Sequence, residues 1–402
     1  MKCTFSNNQS FLIILFVLYP FATLPFLFIK IIERKKYAFV LLAIFMGLCA
    51  ILYPPLGDLY RHSLRYFSYF NENGSNWYVD ENLTDYFLPI ITRVFANFKI
   101  PFEFVRFLFI TISYLLIFKL FLFTYEKNKI VSGYTKLFIV AFLSVPFIYI
   151  VTGLRYGFSL CVFVYGIFML CNKNKLGWGI ILLSVSIHIF MLLPFLITLV
   201  AKICPYRINK ITMSILSILG LLVSNTVIIY FINMVTGETF INEKIIDYTV
   251  GNTYFVESRS LFGIIAKALE CITILPLTYY LFRYKIENCF LNNLFCIFIG
   301  GFSIMSSFFV FTMRILLLFV LLFFFLYLYN AKKRKKYVLQ NVLLLSSLIS
   351  ASAYLYGYRD ILIKSQFPMI LISPMPTILS TSYSEQWIDK LPLDNSNNPF
   401  LK

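Results

Sequence analysis

Long apolar runs separated by short polar joints set the rhythm of this chain. Residues 11–29, 38–53 and 104–124 are the first three such runs, and 211–235, 261–282, 290–310, 315–329 and 338–356 continue the pattern. A run approaching about 20 apolar residues is long enough to cross a bilayer as a helix, so each predicts a transmembrane span. The first is retained as a span rather than a cleaved leader. It is too long for a signal-peptide core, it has no small-residue cleavage site, and basic Arg34, Lys35 and Lys36 follow it.

Two runs do not fit a single span. Residues 137–170 are too long, and Thr152-Gly153-Leu154-Arg155 interrupts them, which predicts a helical hairpin with Arg155 near its tip. Residues 177–201 have the length of one span, but a single crossing there would put Lys202, Arg207 and Lys210 outside and invert every later loop. Two short helices meeting near His188 remove the conflict. Irregular backbone at membrane depth is tolerated only where protein covers it or a wet cavity lies beside it, so the split implies a cavity around His188.

Composition turns this pattern into a fold class. Of 402 residues, 60% are apolar and 13% charged, far from the make-up of a water-soluble core. The expected fold is an all-α polytopic integral membrane protein of about 10 to 12 segments, including short hairpins. The transmembrane domain is expected over residues 1–357, with outer loops at about 54–103 and 236–260 and an outer, loosely ordered tail at 358–402. The net charge of +17 does not indicate nucleic acid, because the basic residues sort by loop. Lys30 to Lys36, Lys127 to Lys136, Lys173 and Lys175, Arg283 and Lys285, and Lys332 to Lys336 mark inner joints, whereas the assigned outer loops hold most of the acidic residues.

The first outer loop opens with the chemistry. Pro54, Pro55 and Gly57 stop the preceding helix, and Asp58 stands at the N-cap position of a new one. Asp58, Arg61 and Arg65 fall on one face at i, i+3 and i+7, with Leu59, Tyr66, Phe67 and Phe70 on the apolar side. The pattern describes a juxtamembrane helix lying along the surface with its charges in water. Taken alone, it fits a capped interfacial helix without chemistry.

Ionisable groups inside spans cost about 2.5 to 3.5 kcal/mol each, so each asks for a reason. Arg106 and Lys119 lie near span ends and are expected to snorkel. Lys267 and Glu270, three apart, are expected to neutralise each other. Arg155, His188 and Arg314 are placed on the same membrane side as Asp58. Singly, His188 fits a packing role and Arg314 a lipid-headgroup anchor. Together, a carboxylate, two guanidiniums and an imidazole fit a site for an anionic, membrane-embedded substrate. The eight cysteines form no CxxC or Cys/His cluster and read as small core residues, and with only two histidines no metal site is expected. No cofactor is expected, and nothing in the sequence supports a divalent cation.

Gly57-Asp58 followed by Tyr60, the GLRYGFSLCVFVYGIFML stretch from Gly153, LLSVSIHIFMLLPF around His188, and Arg314-Ile315-Leu316 resemble, in order and spacing, the EpsG-type polysaccharide polymerases. These are relatives of the Wzy O-antigen polymerases and more distantly similar to GT-C glycosyltransferases. The resemblance implies a polymerase of lipid-linked repeat units in the bacterial inner membrane, with its site facing the periplasm. It also implies a polyprenyl-diphosphate-linked oligosaccharide donor drawn from the bilayer and a chain-length regulator protein as partner. Carried onto this chain, it makes Asp58 the general base, Arg155 and Arg314 the diphosphate ligands, and His188 a hydrogen-bond donor or second acid/base group. Where the family often has an arginine before its Gly-x-Asp stretch, this chain has Leu52-Tyr53-Pro54-Pro55, leaving Arg61 or Arg65, beside Tyr60, as substitutes for substrate contact. Tyr156 stands where the family has a polar residue after the tip arginine. Two other classes compete. A lipid-linked oligosaccharide transporter would carry its charges in a central lumen between two related halves. A ligase or acyltransferase is the third, and an acyltransferase would centre its site on a histidine.

Overall fold

Described in the computed structural model are residues 7–56, 58–71, 86–128, 133–213, 215, 286–305, 309–330 and 337–389. Among them every regular element is helical and none is a strand, which makes the chain an all-α, multi-pass membrane protein. Three helical stretches, Phe102–Glu126, Tyr134–Thr152 and Leu154–Cys171, are long and apolar enough to cross a bilayer, and several shorter apolar helices accompany them. Residues 236–260, expected as an outer loop, and Lys267 and Glu270, expected as a pair, lie outside the described residues.

The first predicted span is not continuous. Helix α1 (Asn7–Leu18) ends before Pro20, a 3-10 turn (Phe21–Thr23) follows, and α2 (Leu24–Ile32) completes the run. Proline has no N–H to give back to the preceding turn, so the helix cannot pass through it unbroken. Helix α3 (Lys36–Leu52) is mostly buried, and α4 (Asp58–Asn71) is the amphipathic helix expected after the two prolines. The loop beyond it holds a second amphipathic helix that the sequence reading missed, α5 (Phe87–Asn97), which packs on α4 with Arg93 over the Tyr69 ring.

Helix α6 (Phe102–Asn128) packs along α3. The long run after it breaks twice, giving α7 (Tyr134–Leu143), the short α8 (Phe147–Thr152) and α9 (Leu154–Cys171). Gly153 separates the last two, as the sequence indicated. The additional break before Pro146 frees carbonyls, and side chains take them up: the Tyr114 hydroxyl donates to Val145 O at 3.0 Å and Ser144 Oγ to Ala141 O. Gly157 allows α8 to fold back onto α9, since a Cβ there would lie 1.8 Å from Ile150 Cγ2. On the far side, Gly166 and Gly177 face each other, and each would drive a Cβ into the other's carbonyl, at 3.1 and 2.7 Å. That contact brings α10 (Leu176–Ile187) close against α9.

The split at His188 is present. His188 adopts an extended conformation (φ −149°, ψ 119°) between α10 and a 3-10 turn (Ile189–Met191) that leads into α11 (Leu192–Ile203). Three helices follow the next described segment: α12 (Cys289–Met305), α13 (Phe309–Asn330) and α14 (Tyr337–Lys364). Asn292 and Asn293, both buried, hold the loop after α11 through Ile208, Cys204 and Tyr206, so that loop is fixed against α12. At the end of the bundle marked by the basic joints, Arg34 sits over the Tyr125 and Tyr134 rings and Lys136 reaches Asn341.

The described part of the tail is not loose. A 3-10 turn (Phe367–Leu371), α15 (Met375–Leu379) and α16 (Glu385–Asp389) pack against α3 and α4 and bury Ile370, Ile378, Tyr383 and Ile388. The apolar residues spaced among its prolines and serines supply that contact.

Candidate active site

Asp58 is the first residue of α4, and its carboxylate takes side chains as partners rather than acting as the expected cap of backbone N–H groups. Arg155, 97 positions away at the start of α9, donates from Nη2 to both oxygens, at 3.3 Å to Oδ1 and 3.1 Å to Oδ2. Gly153 ends α8 and lets α9 begin there, which is what aims the arginine at α4. Arg61 adds a contact of 3.3 Å from Nη2 to Oδ1, with most of its side chain in solvent. His62 completes the group: its Nε2 lies 3.2 Å from Asp58 Oδ2, and only 3% of the residue is exposed.

His62 is the residue that sequence reasoning missed. The signal was available, because it lies four positions after Asp58 on the face that Asp58, Arg61 and Arg65 share. Burial lowers its pKa below the usual histidine range; Asp58 opposes this, and Arg155 and Arg65 add to it. In its neutral form the imidazole donates Nε2–H to the carboxylate. Burial by itself would raise the pKa of Asp58, but His62, Arg155 and Arg61 outweigh it and hold the carboxyl well below the ordinary range. Arg65 and Tyr60 are half-buried on the same helix.

The next residue of α9 builds a second cluster. Tyr156 points away from Arg155; its hydroxyl donates to the backbone carbonyl of Arg314, and its ring meets the His188 ring edge-on at 5.8 Å. The Arg314 guanidinium lies over both Tyr156 (5.5 Å) and Phe190 (5.6 Å). Arg314 is in the second turn of α13 rather than at the start of its span, since that helix begins at Phe309. His188 is buried beside Tyr156 and Phe190, and its Nδ1 accepts the Phe190 N–H at 3.1 Å. That bond fixes the neutral tautomer with the proton on Nε2.

The two clusters hang from consecutive residues of one helix, with Arg155 engaging Asp58 and Tyr156 engaging Arg314 and His188. Arg106 does not belong to it and does not snorkel. It is fully buried and engages Glu103 and the end of α3. Lys119 is exposed on α6, with its Nζ 5.2 Å over the Tyr165 ring. Among the described residues no three His, Cys, Asp or Glu side chains converge as metal ligands would.

No curated protein and no solved structure matches the chain. A family model does match, over residues 58–367, from the carboxylate that opens α4 to the turn that follows α14, and so takes in both clusters. The chain therefore belongs to the EpsG family, whose membership points to a glycosyltransferase-type polysaccharide polymerase.

Proposed function

We propose that this protein polymerises surface-polysaccharide repeat units of the O-antigen kind, at the outer face of the bacterial inner membrane. It transfers a glycan from polyprenyl diphosphate onto a hydroxyl of a second lipid-linked repeat unit. The observation that supports this reading best is the Asp58–Arg155 pair, a carboxylate and a guanidinium joined across two helices, one of them the amphipathic α4. The reaction needs these two groups. The acceptor oxygen attacks the anomeric carbon, the bond to the diphosphate oxygen breaks, and polyprenyl diphosphate leaves with the electron pair. The hydroxyl proton passes to a base.

In the resting arrangement Asp58 is a weak base, because Arg155 and Arg61 stabilise its ionised form. A guanidinium binds a diphosphate as readily as a carboxylate, through the same planar fork. Donor diphosphate drawing Arg155 away would leave Asp58 with His62, raise its proton affinity and make it a base only when the donor is bound. Arg314, held over Tyr156 and Phe190, is the second diphosphate ligand, and the Nε2–H of His188 is a further donor to the leaving group. Arg61, Arg65 and Tyr60 line the acceptor side along α4.

Complementation tests the class. Expression in a strain lacking its own polymerase for the matching repeat unit, followed by gel analysis of the surface glycan, is expected to restore a ladder of chain lengths. Glycan confined to a single repeat unit, with the protein present in the membrane, would overturn the proposal.

A further inference from the structure

The end of α3 is a helix terminus that its own backbone cannot finish. Within a helix, the carbonyl of Ile51 would accept from the N–H of residue 55, but Pro55 has none, and Pro54 lacks one as well. At Tyr53 the chain turns extended (φ −69°, ψ 131°), so the carbonyls of Leu52 and Tyr53 also leave the helical ladder. All three are buried. Side chains from elsewhere serve each of them. Arg106 donates from Nη1 to Tyr53 O at 2.6 Å and from Nη2 to Ile51 O at 3.3 Å, and the Tyr383 hydroxyl donates to Leu52 O at 2.7 Å.

Glu103 ties the donors together. Its Oε1 accepts from Arg106 Nη2 at 2.7 Å and from the backbone N–H of Tyr383 at 3.3 Å, and the guanidinium lies 5.7 Å from the Tyr383 ring. Tyr383 is seated in turn by Trp387, ring to ring at 4.6 Å, in the segment whose last helix, α16, packs on α4. Burying an ion pair costs several kcal/mol of desolvation, and a helix end can be closed more cheaply by a glycine. The cost falls at the one terminus that leads through Pro54, Pro55 and Leu56 into the helix of Asp58 and His62.

We infer that Glu103, Arg106 and Tyr383 are positioning residues: by fixing the last carbonyls of α3 and the C-terminal segment together, they set where the Asp58 carboxylate stands relative to Arg155. The inference rests on Asp58 and Arg155 being the reacting centre.

The test uses the full chain in lipid nanodiscs, with native cysteines replaced and a spin label on Ser68→Cys, an exposed position of α4. The substrate is the lipid-linked repeat unit extracted from a polymerase-null strain. Tyr383→Phe removes the hydroxyl that donates to Leu52 O and that also meets Ser365 and the Gln366 backbone, and Trp387→Ala loosens the seat of Tyr383 without removing a hydrogen bond made by its own side chain. Both are expected to insert at normal level and to lower kcat about 10- to 100-fold, the range a displacement of about 1 Å produces. KM should hold and the label should become more mobile. A fall in kcat with an unchanged spectrum, or a mobile label at full kcat, would overturn the positioning role. Asp58→Asn is assayed beside them. Full activity there defeats the catalytic reading itself, whereas an inactive Asp58→Asn beside a fully active Tyr383→Phe with an unchanged spectrum defeats the positioning role alone.

Discussion

Two arginine–carboxylate pairs, each with a hydrogen bond near 3 Å, stand in different surroundings in this protein. Arg106 and Glu103 sit one turn apart on α6 with side chains 0% and 7% exposed, and neighbouring backbone occupies the guanidinium and the carboxylate oxygen that join them. Arg155 and Asp58 come from different helices and are 18% and 24% exposed, with a buried histidine behind the carboxylate and an exposed arginine beside it. The difference lies in what surrounds each pair. A pair enclosed by carbonyls can only hold a fold together, whereas one at a surface helix can exchange its partner for an anion.

The largest effect is expected where the exchangeable pair loses its base. Asp58→Asn keeps the shape and an oxygen for Arg155 and His62, so insertion should be normal, but loss of a general base typically costs about 10²- to 10⁴-fold in rate. Its glycan should be a single repeat unit without a ladder. A normal ladder from this variant would make the two pairs alike in kind, both structural.

The enclosed pair should fail in stability instead. Arg106→Met strands the Glu103 carboxylate and the α3 carbonyls, and breaking a buried pair costs about 3 to 5 kcal/mol. The amount of protein recovered from membranes and its unfolding temperature in detergent should both drop sharply. Recovery at wild-type level would remove the contrast from its other side.

Arg155→Lys and Arg314→Lys keep the charge but lose the planar fork, and a lost hydrogen bond to a charged group costs about 1.5 to 3 kcal/mol, tenfold or more in rate. Assays on the extracted lipid-linked repeat unit, at matched expression, measure it. Full activity in a Lys variant reduces that residue to a point charge or an anchor.

The smallest effect is a pH dependence. Folding lowers the pKa of His62 below the ordinary histidine value and that of Asp58 below the ordinary carboxylate value, so the folded protein favours the deprotonated form of both. The contribution of His62 is thus fully present above pH 6.5 and is lost as pH falls through its lowered value; that of Asp58 goes only in stronger acid. Unfolding temperatures of the wild type should fall below pH 6.5 more steeply than those of His62→Gln. Parallel curves would take His62 out of the cluster. Sidedness has its own check, since Asn209→Cys should resist an impermeant thiol reagent applied from outside.

Much of the architecture was legible along the chain because its causes are local. Apolar run lengths announced the helices, Pro54 and Pro55 announced the end of α3, and Gly153 announced a break. The reversal of loop charge placed the split at His188, and the spacing of Asp58, Arg61 and Arg65 described α4. Proline breaks inside apolar runs, at Pro20 and Pro146, escaped a reading based on hydropathy, because proline changes the hydrogen-bond ladder without changing the apolar count. The pairings are another matter. That Arg155 reaches Asp58 across 97 positions, that Tyr156 turns toward Arg314 and His188, and that Arg106 and Tyr383 finish a helix begun at Lys36 depend on helices meeting in space. A sequence shows that a buried charge or carbonyl must find a partner; only the packing of helices decides which partner lies within about 3 Å, because hydrogen bonding weakens steeply beyond that distance.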